Sequence, residues 1–381
     1  MASFRSGQIT ADEGARELGV SDRWFRKLYG RYLEACADGR GDEWEPKSSG
    51  GHRRQVIPKE VENLWRRMLS TRPPAPYNFA SSEAFRRFGF STDRATVRRW
   101  AQAHGLTHPK PKKRERASVR RWQCQDVGAL WQLDASPHAW LGPAQPKSHM
   151  LNMVDDCSRV LTGTRLYPRE CLLAYLDFLP RAFEAYGMPL SLYVDFHSFF
   201  FTHIPDNLTY LAETLRFFDV SFLYAPTAQA KGKIERHHYF WQNRLPSFCL
   251  AEDIQELDVA NEQIHLLREH HNEHEIHREI DRTPQQAWDE AIEAGRTKLR
   301  PCKRDPWWPY IWSVRSKVKV AADGTVPLDG RRAKITPTYR RSAIHCQHPD
   351  GSITYLAEPP GSGGYPVVLY RYQNSPARYH V

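Results

Sequence analysis

The chain has 381 residues, 40% of them hydrophobic and 26% charged, with a formal net charge of +10. That length calls for roughly two to four domains rather than one small core, and the composition is that of a globular protein. No apolar run approaches the ~20 residues needed to span a bilayer, and the opening MASFRSGQIT lacks the apolar centre of a signal peptide. The seven cysteines show no CxxC pairs, which argues against a zinc ribbon or a disulfide framework. A reducing, cytoplasmic setting without a membrane partner is therefore expected. The positive charge favours a polyanion, of which nucleic acid is the commonest in a cell.

Residues 1–107 read as tandem helix-turn-helix units. The pattern predicts a helix over 9–18, a tight turn at Gly19-Val20-Ser21 with Ser21 as N-cap, and a second helix over 22–32. Trp24, Leu28 and Tyr32, spaced four apart, predict its buried stripe. Arg23, Arg26, Lys27 and Arg31 form its basic face. A comparable unit spans 58–106: a helix over 60–69, a Pro-rich break over 72–76, a helix over 81–88, a turn at Gly89-Phe90-Ser91, and a helix over 92–104 carrying Arg94, Arg98 and Arg99. The joint between the units, KSSGGHRRQ, holds Arg53 and Arg54. One such hairpin is as readily a solvated surface. Two in tandem, each with arginines on its second helix, point to DNA, because Arg reaches both phosphates and base edges. Residues 108–122 form a basic linker in which Lys112 and Lys113 are candidates to track a phosphate backbone, with a solvated tether as the competing reading.

From 123 to 298 strand and helix patterns alternate. WQLDAS (131–136) predicts a strand, and 149–167 a hairpin turning at Asp155-Asp156-Cys157-Ser158. A helix over 170–186, a strand over 191–198, a helix over 207–218 and a strand over 220–226 follow. The loop TAQAKG then opens a long helix near Lys233, and polar helices run to 298, the last beginning at RTPQQAW (282–288). This order implies a central sheet flanked by helices. Over 299–381 short strands with turn signals about every 10 residues predict a small β-barrel.

Three acids stand out. Strand alternation puts Asp134 opposite Trp131 and Leu133, and Asp195 opposite Leu192 and Val194. A carboxylate on a strand apolar enough to be central is costly unless it is paired or binds a cation. Glu235 lies in the first turn of the long helix, flanking the packed stripe of Ile234, His238, Trp241 and Leu245. Three hard oxygen donors at one sheet edge suit Mg²⁺ or Mn²⁺, two ions of which clamp a scissile phosphate. For any one strand-end Asp the competing reading is a turn former or ion-pair partner. Asp155 and Asp156, in the hairpin turn, are read that way. HHNEHEIH (270–277) is read as a solvated helix face in preference to a metal site.

These stretches resemble the insertion-sequence transposases with an integrase catalytic core, closest to the IS481-like and related groups. LWQLDAS, NMVDDCSRVLTG, YVDFHS and APTAQAKGKIERHH followed by RTPQQAW carry the resemblance over about 120 to 290. It implies an RNase H-like fold for 123–298, with Asp134, Asp195 and Glu235 as a DDE triad serving both as catalytic and as metal-binding residues. It implies two Mg²⁺ or Mn²⁺ ions and phosphodiester hydrolysis followed by strand transfer. The implied partners are the element's terminal repeats and target DNA, engaged by a homodimer or larger assembly; an accessory ATPase stays open. Phe196-His197-Ser198 departs from the Asn-Gly that follows the second Asp in many integrases, and the gap to the Glu is longer than usual. Near the site, Lys231, Lys233 and Arg236 are candidates to hold DNA phosphates, against the reading of a solvated loop. The rival functions are a sequence-specific regulator without catalysis and a stand-alone RNase H-like nuclease.

Overall fold

The computed structural model describes residues 1–39, 56–107, 122–204, 207–226 and 231–373. Arg53, Arg54, Lys112 and Lys113 lie outside the described residues. Contacts divide the chain into two units, Met1–Lys59 and Glu60–Val381.

The first unit holds α1 (Ala2–Arg5), α2 (Ala11–Glu17) and α3 (Asp22–Ala37). Thr10 and Glu13 form a capping box at the start of α2, and Ser21 caps α3 by accepting from the Trp24 amide. Gly19 makes the turn in the left-handed region, at φ +63°. Gly14 lets the two helices meet, since a Cβ there would collide with the Phe25 ring. The buried face of α3 is Phe25, Leu28 and Ala35, not the predicted stripe of Trp24, Leu28 and Tyr32. Phe25 and Tyr29 pack on Phe4 of α1, a contact that rotates the helix and turns Trp24 outward.

The second unit begins with α4 (Lys59–Ser70), α5 (Tyr77–Phe88) and α6 (Arg94–Ala103). Their own core centres on Trp65, whose indole N–H donates to Ala80 O at 3.0 Å and whose ring packs edge-on to Trp100. Helix α5 starts four residues before its predicted position, because Tyr77 to Ala80 bury Phe79 and Ala80 against α4 and the core. These helices belong to the same unit as the sheet, so the boundary falls at Lys59, inside the expected 1–107 region.

The sheet comprises β1 (Leu130–His138), β2 (Ser148–Asp155), β3 (Leu161–Tyr167), β4 (Ser191–Val194) and β5 (Ser221–Tyr224), in the order β3-β2-β1-β4-β5. β1, β2 and β3 are antiparallel neighbours, while β4 and β5 run parallel to β1. This mixed sheet fits the expected RNase H-like core. Between strands lie α7 (Leu172–Tyr186) and α8 (Tyr210–Arg216), followed by α9 (Gly232–Ala251), α10 (Leu257–His274) and α11 (Pro284–Glu293). One face of the sheet buries Trp131, Leu133, Leu151, Met153, Leu192 and Val194 with α7. On β3, the sheet edge is covered by α10: the Asn261 and Asn272 amides each accept from and donate to its backbone, at Leu166 and Leu161. Satisfying an edge in this way removes a row of open backbone groups. Thr283 and Gln286 form a capping box at α11, where RTPQQAW placed the helix start.

The C-terminal region joins this core through α12 (Trp308–Ile311) and Trp312, which stacks on Phe218 at 5.1 Å. Then come β6 (Val314–Lys319), β7 (Thr325–Leu328), β8 (Arg331–Lys334), β9 (Ser342–Gln347), β10 (Ile353–Leu356) and β11 (Val368–Tyr372). The expected barrel does not close. The described strands form a four-stranded antiparallel sheet, β11-β10-β9-β6, and a separate ribbon, β7-β8. Four- to six-residue strands are too short to curl the sheet onto itself, and packing Val326 and Leu328 of the ribbon against Ile353, Tyr355 and Leu369 buries the apolar face instead. All seven cysteines are free. Among the described residues, no helix is long and apolar enough to cross a membrane.

Candidate active site

The register of the parallel pair β1–β4 sets the site. Gln132 pairs with Tyr193, so Asp134 and Asp195 stand two residues farther along neighbouring strands, on the same face. Asp134 is a residue of β1, and Asp195 follows the last residue of β4. Helix α9 packs on this face. The amide of Ile234 approaches Gln132 Oε1 at 3.3 Å, and Trp241 and Leu245 are wholly buried.

Lys231, the N-cap of α9, is 4% exposed and reaches into the gap between the two strands. Its ammonium donates to Asp134 Oδ1 at 2.5 Å and to Asp195 Oδ2 at 3.3 Å. His238 Nε2 lies 3.3 Å from Asp134 Oδ2. Burial works against the charge of Asp134, but His238 and the Lys231 ammonium more than offset it and hold its carboxyl below the usual range. Nearby, Tyr175 donates to Glu170 Oε1 at 2.6 Å. Burial pushes its hydroxyl well above the usual phenol range, with Glu170, Asp134 and Asp195 adding to the effect. The site therefore has a negative field that the buried Lys231 ammonium offsets only in part.

Glu235 is exposed, and among the described residues its carboxylate has no ion-pair partner. It comes four residues after Lys231 and three before His238, a spacing that places all three along one flank of α9. The structure thus brings Asp134 and Asp195 together directly and places Glu235 on the neighbouring flank. Among the described residues no three His, Cys, Asp or Glu side chains are gathered closely enough to hold a metal ion.

The basic candidates divide. Lys231 is not on an open loop but between the carboxylates. Lys233 lies in the first turn of α9, donates to Asp156 Oδ1 at 2.5 Å and sits 4.7 Å over the Trp122 ring. Burial pushes its amine down, against the pull of Asp156. Arg236 is half-exposed and pairs with Glu279. On α3, Arg23, Arg26, Lys27 and Arg31 are exposed, Arg26 pairing with Asp22 at 3.0 Å. Lys27 and Arg31 lie over the outward Trp24 ring, at 5.4 and 5.8 Å. Arg94, Arg98 and Arg99 all face outward on α6.

Asp155 and Asp156 are both fully buried. Asp155 accepts from the amides of Gly128 and Ser158, the Ser158 hydroxyl and the Trp131 indole, at 2.7–3.1 Å. Asp156 accepts from Gln132, Lys233 and the Cys124 amide. The histidine-rich segment is solvated on one side only, at Glu273, His274 and Ile276. His270 and His271 are buried; His270 Nε2 meets Ser82 Oγ at 2.8 Å and His271 Nδ1 meets Glu275 Oε2 at 3.0 Å. Glu275 also accepts from Ser82 and Arg244. The segment thus docks α5 onto α9 and α10, a role invisible until those helices meet. Of the residues at the site, the bridging role of Lys231 was not foreseen. His238 carried a signal, as a polar residue within an apolar stripe.

No family model matches the chain. It is 26% identical over 272 residues to the transposase y4bF of Sinorhizobium fredii (strain NBRC 101917 / NGR234), an alignment covering 70% of this chain and 58% of that protein. It is 30% identical over 142 residues to a transposase for insertion sequence IS1202 of Streptococcus pneumoniae, covering 35% and 30% respectively. The chain spans less than two thirds of the length of each of these relatives. Similar solved structures include a simian T-cell lymphotropic virus intasome in complex with PP2A regulatory subunit B56 gamma, at 11% identity and TM-score 0.38, covering 75% of this chain and 93% of that one. The catalytic core domain of BIV integrase is similar at 16% identity and TM-score 0.33, covering 44% and 98%.

Proposed function

We propose that this chain, a sequence relative of the insertion-sequence transposases, binds the ends of a mobile element and cuts and joins DNA through Asp134, Asp195 and Glu235. The observation that carries the reading is the pair of carboxylates side by side on one sheet face, sharing a single buried cation, with Glu235 on the adjoining helix flank. Two hard carboxylates that already converge on one positive charge also suit Mg²⁺ or Mn²⁺, and the exposed carboxylate of Glu235 is free to join them. Two such ions, when bound, supply an activated water or 3′-hydroxyl and stabilise the leaving oxygen.

The protein's own part is orientation. Parallel strand register fixes the spacing of Asp134 and Asp195, and α9 sets Glu235 relative to both. Lys231 holds the carboxylates together and, when released from them, is placed to meet a phosphate oxygen. Helices α2 and α3 act as a helix-turn-helix in which Arg23, Lys27 and Arg31 contact DNA beside Trp24, and α6 presents Arg94, Arg98 and Arg99 as a second reader. Lys233 serves Asp156 rather than DNA. A dimer or larger assembly is needed to cut two ends together.

The test uses purified protein, Mg²⁺ and a duplex carrying the inverted repeats that bound the gene. Nicking at the repeat end is expected, and Asp134→Ala abolishes it while leaving binding intact. Equal cleavage by Asp134→Ala would sink the assignment. The ammonium of Lys231 already bridges both carboxylates, an arrangement that also suits one rival, a DNA-binding regulator. Footprinting at a promoter with no cleavage by the wild-type protein would establish that instead.

A further inference from the structure

Helix α9 meets different partners along its length. Near its start it carries Glu235 and His238, beside the Lys231 cap that bridges Asp134 and Asp195. It continues across Pro246 to Ala251, so Glu235 and Phe248 stand about 20 Å apart along one axis. Phe248 is buried 6.2 Å from the Phe79 ring of α5. The Arg244 guanidinium lies over the Phe79 and Phe240 rings, at 5.2 and 3.8 Å, and donates to Glu275 Oε1 at 2.6 Å. Ser82 of α5 donates to the same oxygen at 2.9 Å and meets His270 of α10 at 2.8 Å. Glu252, the C-cap of α9, pairs with Arg87 of α5 at 3.0 Å and with Arg67 of α4 at 3.5 Å. Opening this joint would strand buried charges, which is costly. Helix α6 is held to α4 in turn: the Trp65 and Trp100 rings lie 5.5 Å apart, and the Trp100 indole donates to Glu62 at 3.1 Å. Arg94, Arg98 and Arg99 are therefore carried on helices locked to the far end of α9.

We propose that α9 is a ruler. Held to α4–α6 at one end and bearing Glu235 at the other, it fixes how far the cut falls from the DNA segment met by Arg94, Arg98 and Arg99. This rests on the transposase reading above. Ser82, Arg244 and Glu252 are then positioning residues, which act through the helix and not on the DNA. A reader on a slack tether would leave the carboxylates to search a range of phosphates. A stiff joint presents one. A misplacement of about 1 Å at a reacting centre costs as much as 100-fold in rate, so the joint bears on cutting far more than on binding.

The experiment uses the full chain, Mg²⁺ and duplexes carrying the repeats that bound the gene, with hydroxyl-radical footprinting. The protection lost in Arg98→Ala marks the segment met by α6. Inserting base pairs between that segment and the cut should move the cut by the same number of nucleotides in wild-type protein. A cut that stays with the repeat end refutes the ruler alone. Glu252→Lys suits a helix C-terminus but repels Arg67 and Arg87. It should keep the α6 footprint, spread the cut over neighbouring phosphates and lower the yield at the wild-type position at least about ten-fold. Adding Arg67→Glu to that variant should draw the cut back. A lower yield at an unchanged position would make the joint a structural support only and overturn the inference. In a chain that never cuts, a second protection at constant distance from the first refutes the transposase reading alone. No cutting and no second protection refute both.

Discussion

Asp134 and Asp195 stand at the open end of the central sheet with one shared cation, while Asp155 and Asp156 lie wholly inside it with nearly every oxygen engaged. The two pairs occupy the same sheet and differ in what their oxygens meet. Burial pushes the Asp155 carboxyl up, with Asp156 adding to it, against the hydrogen bonds from Gly128 and Ser158. For Asp134 the positive neighbours win, and its carboxyl is held down. An acid whose oxygens are taken up by fixed backbone donors is part of the framework. An acid met by the side-chain nitrogens of Lys231 and His238, with no backbone donor, can exchange the ammonium for another cation.

Three substitutions test how differently the two pairs are held. The largest effect is expected from Asp134→Ala in the cleavage assay, a loss of more than about 100-fold, with the unfolding midpoint little changed; the reverse pattern would make Asp134 structural. Next, Asp155→Ala strands the donors of Gly128, Trp131 and Ser158 and should lower stability by about 3–5 kcal/mol in a urea titration. A small change there would erase the distinction between the pairs. Lys231→Met should cost the metal-free protein about 1.5–3 kcal/mol by leaving two carboxylates facing each other. Added Mn²⁺ should then restore its melting temperature more than it raises that of the wild type. Identical Mn²⁺ responses would show that the ammonium and the ion do not compete for one place.

The smallest effect concerns pH. Burial pushes His277 down to about 4, with Arg159 adding to the shift. His277 is therefore neutral in the folded chain where the unfolded chain, with an ordinary value of about 6.5, binds a proton. Stability is full above pH 6.5 and declines as pH falls from there towards 4. His277→Gln should flatten that decline by about 1 kcal/mol, read from denaturation midpoints at several pH values. Glu275, held well below the usual carboxylate range by Arg244 and His271 despite burial, adds a loss only at more acidic pH.

Much of the core was legible because strand and helix periods are local. The strand at β1, the β2–β3 hairpin with its turn at Asp155 to Ser158 and the capped start of α11 all follow from residues close in sequence. Rotation of a helix is not local. Trp24 was expected inside α3 and lies outside because Phe4 on α1 claims the other face. The same limit explains the C-terminal strands, which were countable while their closure was not.

By itself, then, the sequence determined where the acids lie along the chain and which secondary structures carry them, since alternation and capping are properties of a few consecutive residues. Tertiary structure alone decided their partners. Lys231 reaches Asp134 across 97 positions and Lys233 reaches Asp156 across 77. Two lysines separated by one glycine thus serve opposite ends of the comparison, one in the candidate site and one in the framework. No local pattern encodes that division, because it depends on which strand end each ammonium meets when α9 settles on the sheet.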